Sequence, residues 1–181
     1  MTHGRFIAVV GPSGVGKDSA MAGLVAARPG LILARRVITR AAELGGEDFD
    51  PVTEAQFMRA RDRGDFVLHW GAHGLFYGIP VTVRAQVEAG QDVLANLSRG
   101  VLTQAQHKFA CLIVLQLTAS SEVLAGRLAG RGRETGPQIA ARLARGTDQL
   151  PMGLNVVTVS NDGAMADTVA CMLTALYPDR T

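Results

Sequence analysis

The chain has 181 residues, of which 48% are hydrophobic and 19% are charged, and its formal net charge is +2. This length and composition predict one folded domain with a buried core and argue against disorder. The small net charge argues against a nucleic-acid-binding protein. The longest apolar run, 109–115, is shorter than the ~20 residues that a membrane helix needs, and no signal-peptide cleavage pattern follows the first apolar run. We therefore expect a soluble, cytoplasmic protein.

Apolar runs alternate with amphipathic helical stretches along the chain, which is typical of a parallel sheet with crossover helices. The strands predicted from this pattern are 6–10, 31–37, 65–70, 93–97, 111–117 and 156–159. The predicted helices are 17–27, 53–62, 80–90, 120–128, 137–145 and 164–176. Thr53 followed by Gln56 is a capping signal for the second helix, and a glycine-punctuated loop is predicted up to Gly78. The sequence therefore predicts a single α/β domain over residues 1–181.

The segment Gly11-Pro12-Ser13-Gly14-Val15-Gly16-Lys17-Asp18 fits the pattern G-x-x-x-x-G-K between a predicted strand and a predicted helix. That context is typical of a P-loop, in which glycines let successive backbone N–H groups point at phosphate oxygens. The helix N-terminus adds partial positive charge, and Lys17 reaches the β- and γ-phosphates. The residues predicted to bind ATP in this segment are Gly11, Pro12, Ser13, Gly14, Val15, Gly16, Lys17, Asp18 and Ser19.

One position of the P-loop departs from the usual pattern, because Asp18 stands where a Ser or Thr hydroxyl normally binds Mg²⁺. A carboxylate there repels phosphate unless a cation lies between the two groups. We therefore predict that Asp18 binds Mg²⁺, directly or through water. The alternative is that Asp18 only favours the helix N-terminus and that Ser19 supplies the hydroxyl.

Two later segments resemble the acceptor-binding part of guanylate kinases, which are P-loop monophosphate kinases. Ile38-Thr39-Arg40 falls where that family has an S-T-R motif whose arginine binds the acceptor phosphate. The segment 73–78 parallels its H-G-N-x-Y-G motif, whose tyrosine, here Tyr77, touches the same phosphate. The resemblance implies an acceptor-binding segment at about 38–80.

The lid that guanylate kinases close over ATP has its counterpart at about 127–145. Arg127, Arg131 and Arg142 match the lid arginines of that family. Asn161 and Asp162 follow the last predicted strand, as does the nucleotide-side N-D pair of guanylate kinases. The resemblance implies that Arg127 and Asn161 help to bind ATP.

Three departures from guanylate kinases concern the recognition of the acceptor. Glu43 replaces a second arginine, Leu75 replaces the asparagine of H-G-N-x-Y-G, and Ser98 replaces an acid that helps to recognise guanine. These replacements imply that guanine recognition is lost while phosphate handling is kept.

The chain is more similar to the ribose 1,5-bisphosphate phosphokinases of phosphonate breakdown. The matching segments, which span almost the whole chain in order, are 16–19, 38–40, 74–78, 96–99, 131–134, 141–145 and 161–163. This resemblance implies a P-loop kinase fold, ATP as phosphoryl donor, Mg²⁺ as cofactor and a sugar phosphate as acceptor. The residues that it implies to be catalytic are Lys17, Arg131 and Arg142. Those that it implies to bind the acceptor are Arg40, Tyr77, Ser98 and Arg99.

Two alternatives remain open for the function. One is a guanylate or other nucleoside monophosphate kinase. The other is a catalytically inactive guanylate-kinase-like binding module, against which the intact Lys17 and the lid arginines argue. Neither a nucleic acid nor a membrane is expected as a partner, and a homodimer is left open. His69 and His73 lie four residues apart in a strand and turn, where a metal site is disfavoured.

Two other features carry weaker expectations. Sixteen of the eighteen basic residues are arginine, either through codon bias or because one planar guanidinium binds two phosphate oxygens at once. Cys111 and Cys171 stand in apolar surroundings without metal or redox spacing, so we expect buried, reduced thiols.

Overall fold

The computed structural model describes residues 3–41, 48–130 and 149–178, which form two sheets and the helices that pack against them. The strands are β1 Phe6–Val10, β2 Ile32–Leu33, β3 Arg36–Ile38, β4 Phe49–Pro51, β5 Phe66–Ala72, β6 Leu75–Pro80, β7 Val93–Asn96, β8 Leu112–Thr118 and β9 Val156–Ser160. The helices are α1 Lys17–Ala27, α2 Glu54–Arg63, α3 Thr82–Glu88, α4 Leu102–Lys108, α5 Ser121–Gly130 and α6 Met165–Leu176. None of the helices in these ranges is long and apolar enough to cross a membrane.

The larger sheet has the strand order β2-β7-β1-β8-β9, and every pairing in it is parallel. β1 lies at its centre and is fully buried, as expected for a parallel strand that is covered on both faces. Phe6, Ala8 and Val10 belong to the apolar cluster on one face, while Ile7 and Val9 belong to the cluster on the other. This central sheet confirms the α/β fold predicted from the alternating pattern.

The smaller sheet has the order β4-β3-β6-β5, with β3 parallel to β4 and antiparallel pairings elsewhere. β5 and β6 form a hairpin whose turn residues, His73 and Gly74, both have positive φ, as tight hairpin turns require. On this sheet the ring of Phe57 from α2 stacks on Phe66 and Phe76, at centroid distances of 4.7 and 5.6 Å. The hairpin and α2 therefore share a small aromatic core.

Several predicted elements are confirmed and others are wrong. Thr53 and Gln56 form the predicted capping box of α2. The single strand predicted at 31–37 is wrong, because the chain leaves the central sheet after β2 and enters the smaller sheet at β3. Arg35 lies between the two strands and pairs at the surface with Asp48 and Asp50, an arrangement that a buried parallel strand does not allow.

The loop predicted up to Gly78 is also wrong, since residues 75–80 form β6. Gly78 lies inside that strand, and a glycine is needed there because the Phe66 ring packs on it. A Cβ at this position would lie 2.7 Å from the ring. Cys111 and Cys171 are free thiols but are exposed rather than buried, because Cys111 precedes β8 and Cys171 lies on the outer side of α6. The helix predicted at 137–145 lies outside the described residues.

A polar cluster joins the start of β1 to the end of α6. Arg5 donates to the Asp92 carboxylate, and the Tyr177 hydroxyl donates to the same carboxylate at 2.8 Å. The guanidinium groups of Arg5 and Arg28 lie 4.4 and 3.8 Å from the centroid of the Tyr177 ring. Burial pushes the pKa of the Asp92 carboxyl upward, but the hydrogen bonds from Arg5 and Tyr177 outweigh burial, so that the pKa lies below its usual value.

Tyr177→Phe should lower the free energy of unfolding by about 1 kcal/mol, because it removes one hydrogen bond and keeps the ring between the two arginines. For a chain of this length that change corresponds to about 2–4 °C in Tm. Thermal unfolding at pH 7 measures the effect, and Tyr177→Leu, which also loses the ring, should cost more. An unchanged Tm in Tyr177→Phe would contradict the contribution assigned to the hydroxyl.

The same cluster sets a pH dependence. Because the pKa of Asp92 is lower in the folded than in the unfolded chain, its carboxylate stabilises the fold above about pH 4, and this contribution is lost as the pH falls further. Asp92→Asn should therefore have a lower Tm than the wild type at pH 7. The difference in Tm between the two proteins should be much smaller at pH 3.

Candidate active site

The P-loop joins the buried end of β1 to the first turn of α1. Gly16 has a φ of 89°, which glycine adopts without strain, and a Cβ at this position would lie 2.8 Å from the side-chain nitrogen of Asn161. The Lys17 Nζ atom donates to the carbonyl oxygens of Gly11 and Pro12, at 3.0 and 3.3 Å. The lysine therefore lies back across the loop, with its charge beside the phosphate-binding backbone.

Asn161 braces the P-loop from behind. It is fully buried, its Nδ2 donates to the Val15 carbonyl at 2.7 Å, and its Oδ1 accepts from the Thr168 hydroxyl at 2.7 Å. The Arg127 guanidinium donates to the same Val15 carbonyl at 3.4 Å. Both predicted ATP-binding residues thus reach the P-loop, and any contribution of Asn161 to ATP binding acts through the loop.

Asp162 fixes the segments that surround this brace. Its carboxylate accepts hydrogen bonds from the Ser160 hydroxyl at 2.5 Å and from the Ser120 backbone N–H at 2.6 Å. These bonds, that from Ser160 foremost, hold the pKa of the Asp162 carboxyl below its usual value. The carboxylate therefore ties the end of β9 to the start of α5.

Two cavities open at the carboxyl ends of β1 and β7. The first, which we call the P-loop cavity, has a volume of about 200 Å³ and is lined by Ser13, Gly14, Gly16, Lys17, Asp18, Ser19, Arg36 and Asn96. The second, which we call the outer cavity, has a volume of about 380 Å³ and extends from Gly11, Pro12, Ser13 and Lys17 toward the smaller sheet. The residues common to both linings are Ser13, Lys17, Arg36 and Asn96.

The outer cavity brings together most of the predicted acceptor-binding residues. Tyr77 from β6 stacks on Trp70 from β5, with ring centroids 5.3 Å apart and planes 9° apart. Ser98 and Arg99 follow β7 and line the same cavity, and the Arg99 Nε is buried without a hydrogen-bond partner among the described residues. A buried guanidinium N–H at a cavity wall is suited to an anionic ligand.

Arg40 is not brought to this cavity. It is absent from both cavity linings, and its guanidinium lies 4.4 Å from the centroid of the Phe49 ring. Arg131, Arg142, Glu43 and most of the predicted lid lie outside the described residues. The acceptor-binding role of Arg40 and the catalytic roles of the two lid arginines stay predictions.

Arg36, Trp70 and Asn96 are among the cavity-lining residues that were not predicted from the sequence as site residues. The Arg36 side chain is buried, and its Nη1 donates to the Asn96 carbonyl at 3.2 Å. Asn96 in turn donates from Nδ2 to the Asp18 carboxylate at 3.2 Å. The available signal was an arginine inside a run predicted to be a buried strand, because a buried charge needs a specific reason.

The donor atoms beside the P-loop fit Mg²⁺. Asp18 and Ser19 bring carboxylate and hydroxyl oxygens to the P-loop cavity, and Mg²⁺ prefers such oxygen ligands together with substrate phosphates and water. Within the ranges that the structure describes, no group of three or more His, Cys, Asp and Glu side chains could hold a metal ion. Magnesium at Asp18 would therefore take its other ligands from the Ser19 hydroxyl, phosphate oxygens and water.

Solved structures resemble this arrangement of sheet, P-loop and cavities. A guanylate kinase from Anaplasma phagocytophilum superposes with a TM-score of 0.69 at 19% identity, over 97% of this chain and 86% of that one. A gluconokinase from Sinorhizobium meliloti 1021 superposes with a TM-score of 0.57 at 17% identity, over 97% of this chain and 93% of that one. The fold and the P-loop therefore place the chain in the fold class of the α/β P-loop kinases.

Curated relatives narrow this class. No protein-family model matches the chain. The "Ribose 1,5-bisphosphate phosphokinase PhnN" of Ruegeria sp. (strain TM1040) is 54% identical over 167 residues, which are 92% of this chain and 88% of that protein. The chain belongs to the ribose 1,5-bisphosphate phosphokinase family. It is also 43% identical to the "Bifunctional ribose 1,5-bisphosphokinase-thymidine phosphorylase" of Cupriavidus necator, over 96% of this chain but 29% of that protein.

Asn161→Asp should weaken ATP binding although the residue lies behind the P-loop. The substitution keeps an acceptor for Thr168 but removes the donor to Val15 and turns a carboxylate toward that carbonyl. Losing a buried hydrogen bond in this way costs about 1–3 kcal/mol, and each 1.4 kcal/mol that reaches the P-loop raises the ATP Kd about tenfold.

Calorimetric titration with ATP and thermal unfolding measure this effect. Asn155→Asp, the same substitution at an exposed asparagine, is the matched control and should leave the ATP Kd unchanged. If Asn161→Asp bound ATP as the wild type does, the brace would have no part in holding the loop.

Proposed function

We propose that this chain transfers the γ-phosphoryl group of ATP to the 1-phosphate of ribose 1,5-bisphosphate, forming 5-phosphoribosyl 1-diphosphate in phosphonate catabolism. The observation that carries the proposal is the outer cavity, which meets the P-loop at Lys17 and presents the guanidinium groups of Arg36 and Arg99. A volume of about 380 Å³ with several cationic groups suits a small sugar bisphosphate. The names of the curated relatives support the same acceptor.

The reaction needs no general base. A phosphate acceptor is already ionised near neutral pH, so its oxygen forms a bond to the γ-phosphorus while the bond to the ADP oxygen breaks. Catalysis then consists of positioning and of charge stabilisation around the transferring group. Lys17 supplies one positive charge from the P-loop, and we expect Arg131 and Arg142 to supply others from the lid.

The ATP phosphates would lie in the P-loop cavity, against the backbone of residues 11–19. Arg127 and Asn161 hold that loop through the Val15 carbonyl. When bound, Mg²⁺ would neutralise part of the phosphate charge. Asp18 is positioned to hold it, and its carboxylate would otherwise repel the phosphates.

The acceptor would lie in the outer cavity. The Tyr77 hydroxyl, Ser98 and Arg99 would contact its phosphates and sugar hydroxyls, and the stacked Trp70 and Tyr77 rings would form one wall. Arg40 would take part only if its guanidinium left the Phe49 ring. ATP and this sugar phosphate are the proposed small-molecule partners, in the cytoplasm, and a homodimer stays a prediction.

A nucleoside monophosphate kinase is the second candidate, because the fold is shared with guanylate kinases. Ser98 argues against it, since its hydroxyl cannot match a carboxylate as partner for the N–H donors of guanine. A site built to hydrogen-bond a substrate loses about 10⁴-fold or more in specificity when its polar partners are absent.

The acceptor assay compares ribose 1,5-bisphosphate, ribose 5-phosphate, GMP and AMP at equal ATP and Mg²⁺. We expect kcat/KM to be highest for ribose 1,5-bisphosphate by at least about 10²-fold, because the outer cavity offers positive charge for two phosphates, while Ser98 lacks the carboxylate that would pair with guanine. Lys17→Ala, which should stay folded and lose most turnover, is the control for contaminating kinases. A higher kcat/KM for GMP than for ribose 1,5-bisphosphate would contradict the proposed acceptor and would identify a nucleotide as the acceptor instead.

A second assay tests Asp18 as the magnesium-binding residue. Asp18→Asn keeps the size of the side chain and an acceptor for Asn96 but removes the charge. The Mg²⁺ concentration for half-maximal rate should rise by about tenfold, because one carboxylate ligand is lost from a site with few protein ligands. The matched control is Asp62→Asn on the exposed face of α2. An unchanged magnesium dependence would leave Asp18 only its place at the helix N-terminus.

A further inference from the structure

Arg36 lies where the two cavities meet, although no motif of the sequence points to it. The residue is 7% exposed and lines both the P-loop cavity and the outer cavity. We infer that Arg36 is a further catalytic residue, whose guanidinium contacts the acceptor phosphate as the phosphoryl group arrives. The inference rests on the proposed function and adds to it the residue that holds the phosphate at the point of transfer.

The position of Arg36 follows the path of the phosphoryl group. A group that moves from ATP in the P-loop cavity to an acceptor in the outer cavity must pass the residues that line both. Within the described residues these are Ser13, Lys17, Arg36 and Asn96, of which Lys17 and Arg36 carry positive charge. Two phosphate groups that approach each other repel, and a guanidinium that contacts oxygens of both reduces the repulsion.

The guanidinium is held in place by both sheets. Its Nη1 donates to the Asn96 carbonyl at the end of β7, at 3.2 Å. Its central carbon lies 5.0 Å from the centroid of the Tyr77 ring and 5.9 Å from that of Trp70. A planar cation fixed by a carbonyl and two rings is organised before the substrate binds, so little reorganisation is needed during the reaction.

The charge of Arg36 also bears on Asp18. Asn96 joins the two residues, since its carbonyl accepts from Arg36 and its side-chain amide donates to Asp18. The Asp18 carboxylate repels the transferred phosphate, and the buried Arg36 guanidinium, separated from Asp18 only by the bridging Asn96, offsets this repulsion. Arg40 does not offset the charge of Asp18 in this way, because its guanidinium lies over the Phe49 ring and the residue lines neither cavity.

A structural explanation competes with this inference, since Arg36 also ties the smaller sheet to the central one. The experiment therefore compares Arg36→Gln and Arg36→Lys with the matched control Arg35→Gln. Arg35 is the neighbouring residue, is about half exposed at 49%, and pairs with Asp48 and Asp50 at the surface. For each variant we would measure Tm, the Kd for ATP without acceptor, and kcat and KM for ribose 1,5-bisphosphate.

Arg36→Gln should lower kcat/KM for the acceptor by about 10²- to 10³-fold, with the ATP Kd changed by less than about threefold. Arg36→Lys should recover less than about a tenth of the lost activity, because an ammonium lacks the planar fork. Arg35→Gln should keep wild-type kinetics. If Arg36→Gln does not fold, Arg36→Lys carries the test, with at least about a tenfold loss in kcat/KM expected at an unchanged ATP Kd.

Two results would overturn the inference. One is a folded Arg36 variant with kcat/KM near that of the wild type, and the other is a loss of activity matched by an equal loss of ATP affinity and by a fall in Tm. The activity of the wild type in the same assay distinguishes a failure of the proposed function from a failure of the role assigned to Arg36. A wild type that phosphorylates none of the acceptors refutes the proposed function, whereas an active wild type with an equally active Arg36→Gln refutes only the assignment of Arg36.

Discussion

The parallel pairing of β1 with both β7 and β8 is the constraint on which the site depends. Val9 lies opposite Asn96 in this register, and the Leu97 N–H continues the ladder by donating to the Val9 carbonyl at 3.0 Å. Because parallel strands end at the same edge of a sheet, the loop that follows β1 and the residues that follow β7 must adjoin. β1 is buried on both faces, so a register shift of one residue would exchange the side chains that pack in the two apolar clusters. The P-loop and the segment from Asn96 to Arg99 are thereby placed side by side, although 78 positions in the sequence separate Asp18 from Asn96.

The smaller sheet adds side chains to the site that the central sheet forms. β3, β5 and β6 bring Arg36, Trp70 and Tyr77 to the open side of the P-loop, and the hydrogen bond from Arg36 to the Asn96 carbonyl joins the two sheets at that point. The cations of the combined site come from three separate segments, with Lys17 in the P-loop, Arg36 in β3 and Arg99 after β7. Such a distribution suits a reaction in which the ligands carry most of the negative charge and the protein contributes position.

The P-loop and the central sheet could be predicted from the sequence because their signals are local. A strand, a glycine turn and a helix follow one another within 22 residues, from Phe6 to Ala27, and the buried strands are continuous apolar runs. β5 of the smaller sheet was predicted at 65–70, but β6 was not, because Gly71, Gly74 and Gly78 indicate a loop, whereas Gly78 is a strand residue that makes room for the Phe66 ring. Arg36 was hidden for a related reason. A run from Leu31 to Val37 looks like one strand, and only the change of sheet after β2 places Arg36 at the cavities while Arg35 reaches the surface.

The acid at position 18 is then the least expected and the most informative residue of the P-loop. A hydroxyl in its place could bind magnesium without adding charge, so a carboxylate is tolerated only where positive charge and hydrogen-bond donors surround it. The structure provides them within one connected group, in which Asn96 donates to Asp18 and accepts from Arg36. Asp18 precedes the smaller sheet in sequence by 18 residues, and Asn96 follows Arg36 by 60. No local pattern links these three positions, yet the neutral amide of Asn96 connects the negative charge of Asp18 to the positive charge of Arg36. This connected group joins the P-loop cavity, where ATP would bind, to the outer cavity, where the phosphate acceptor would bind.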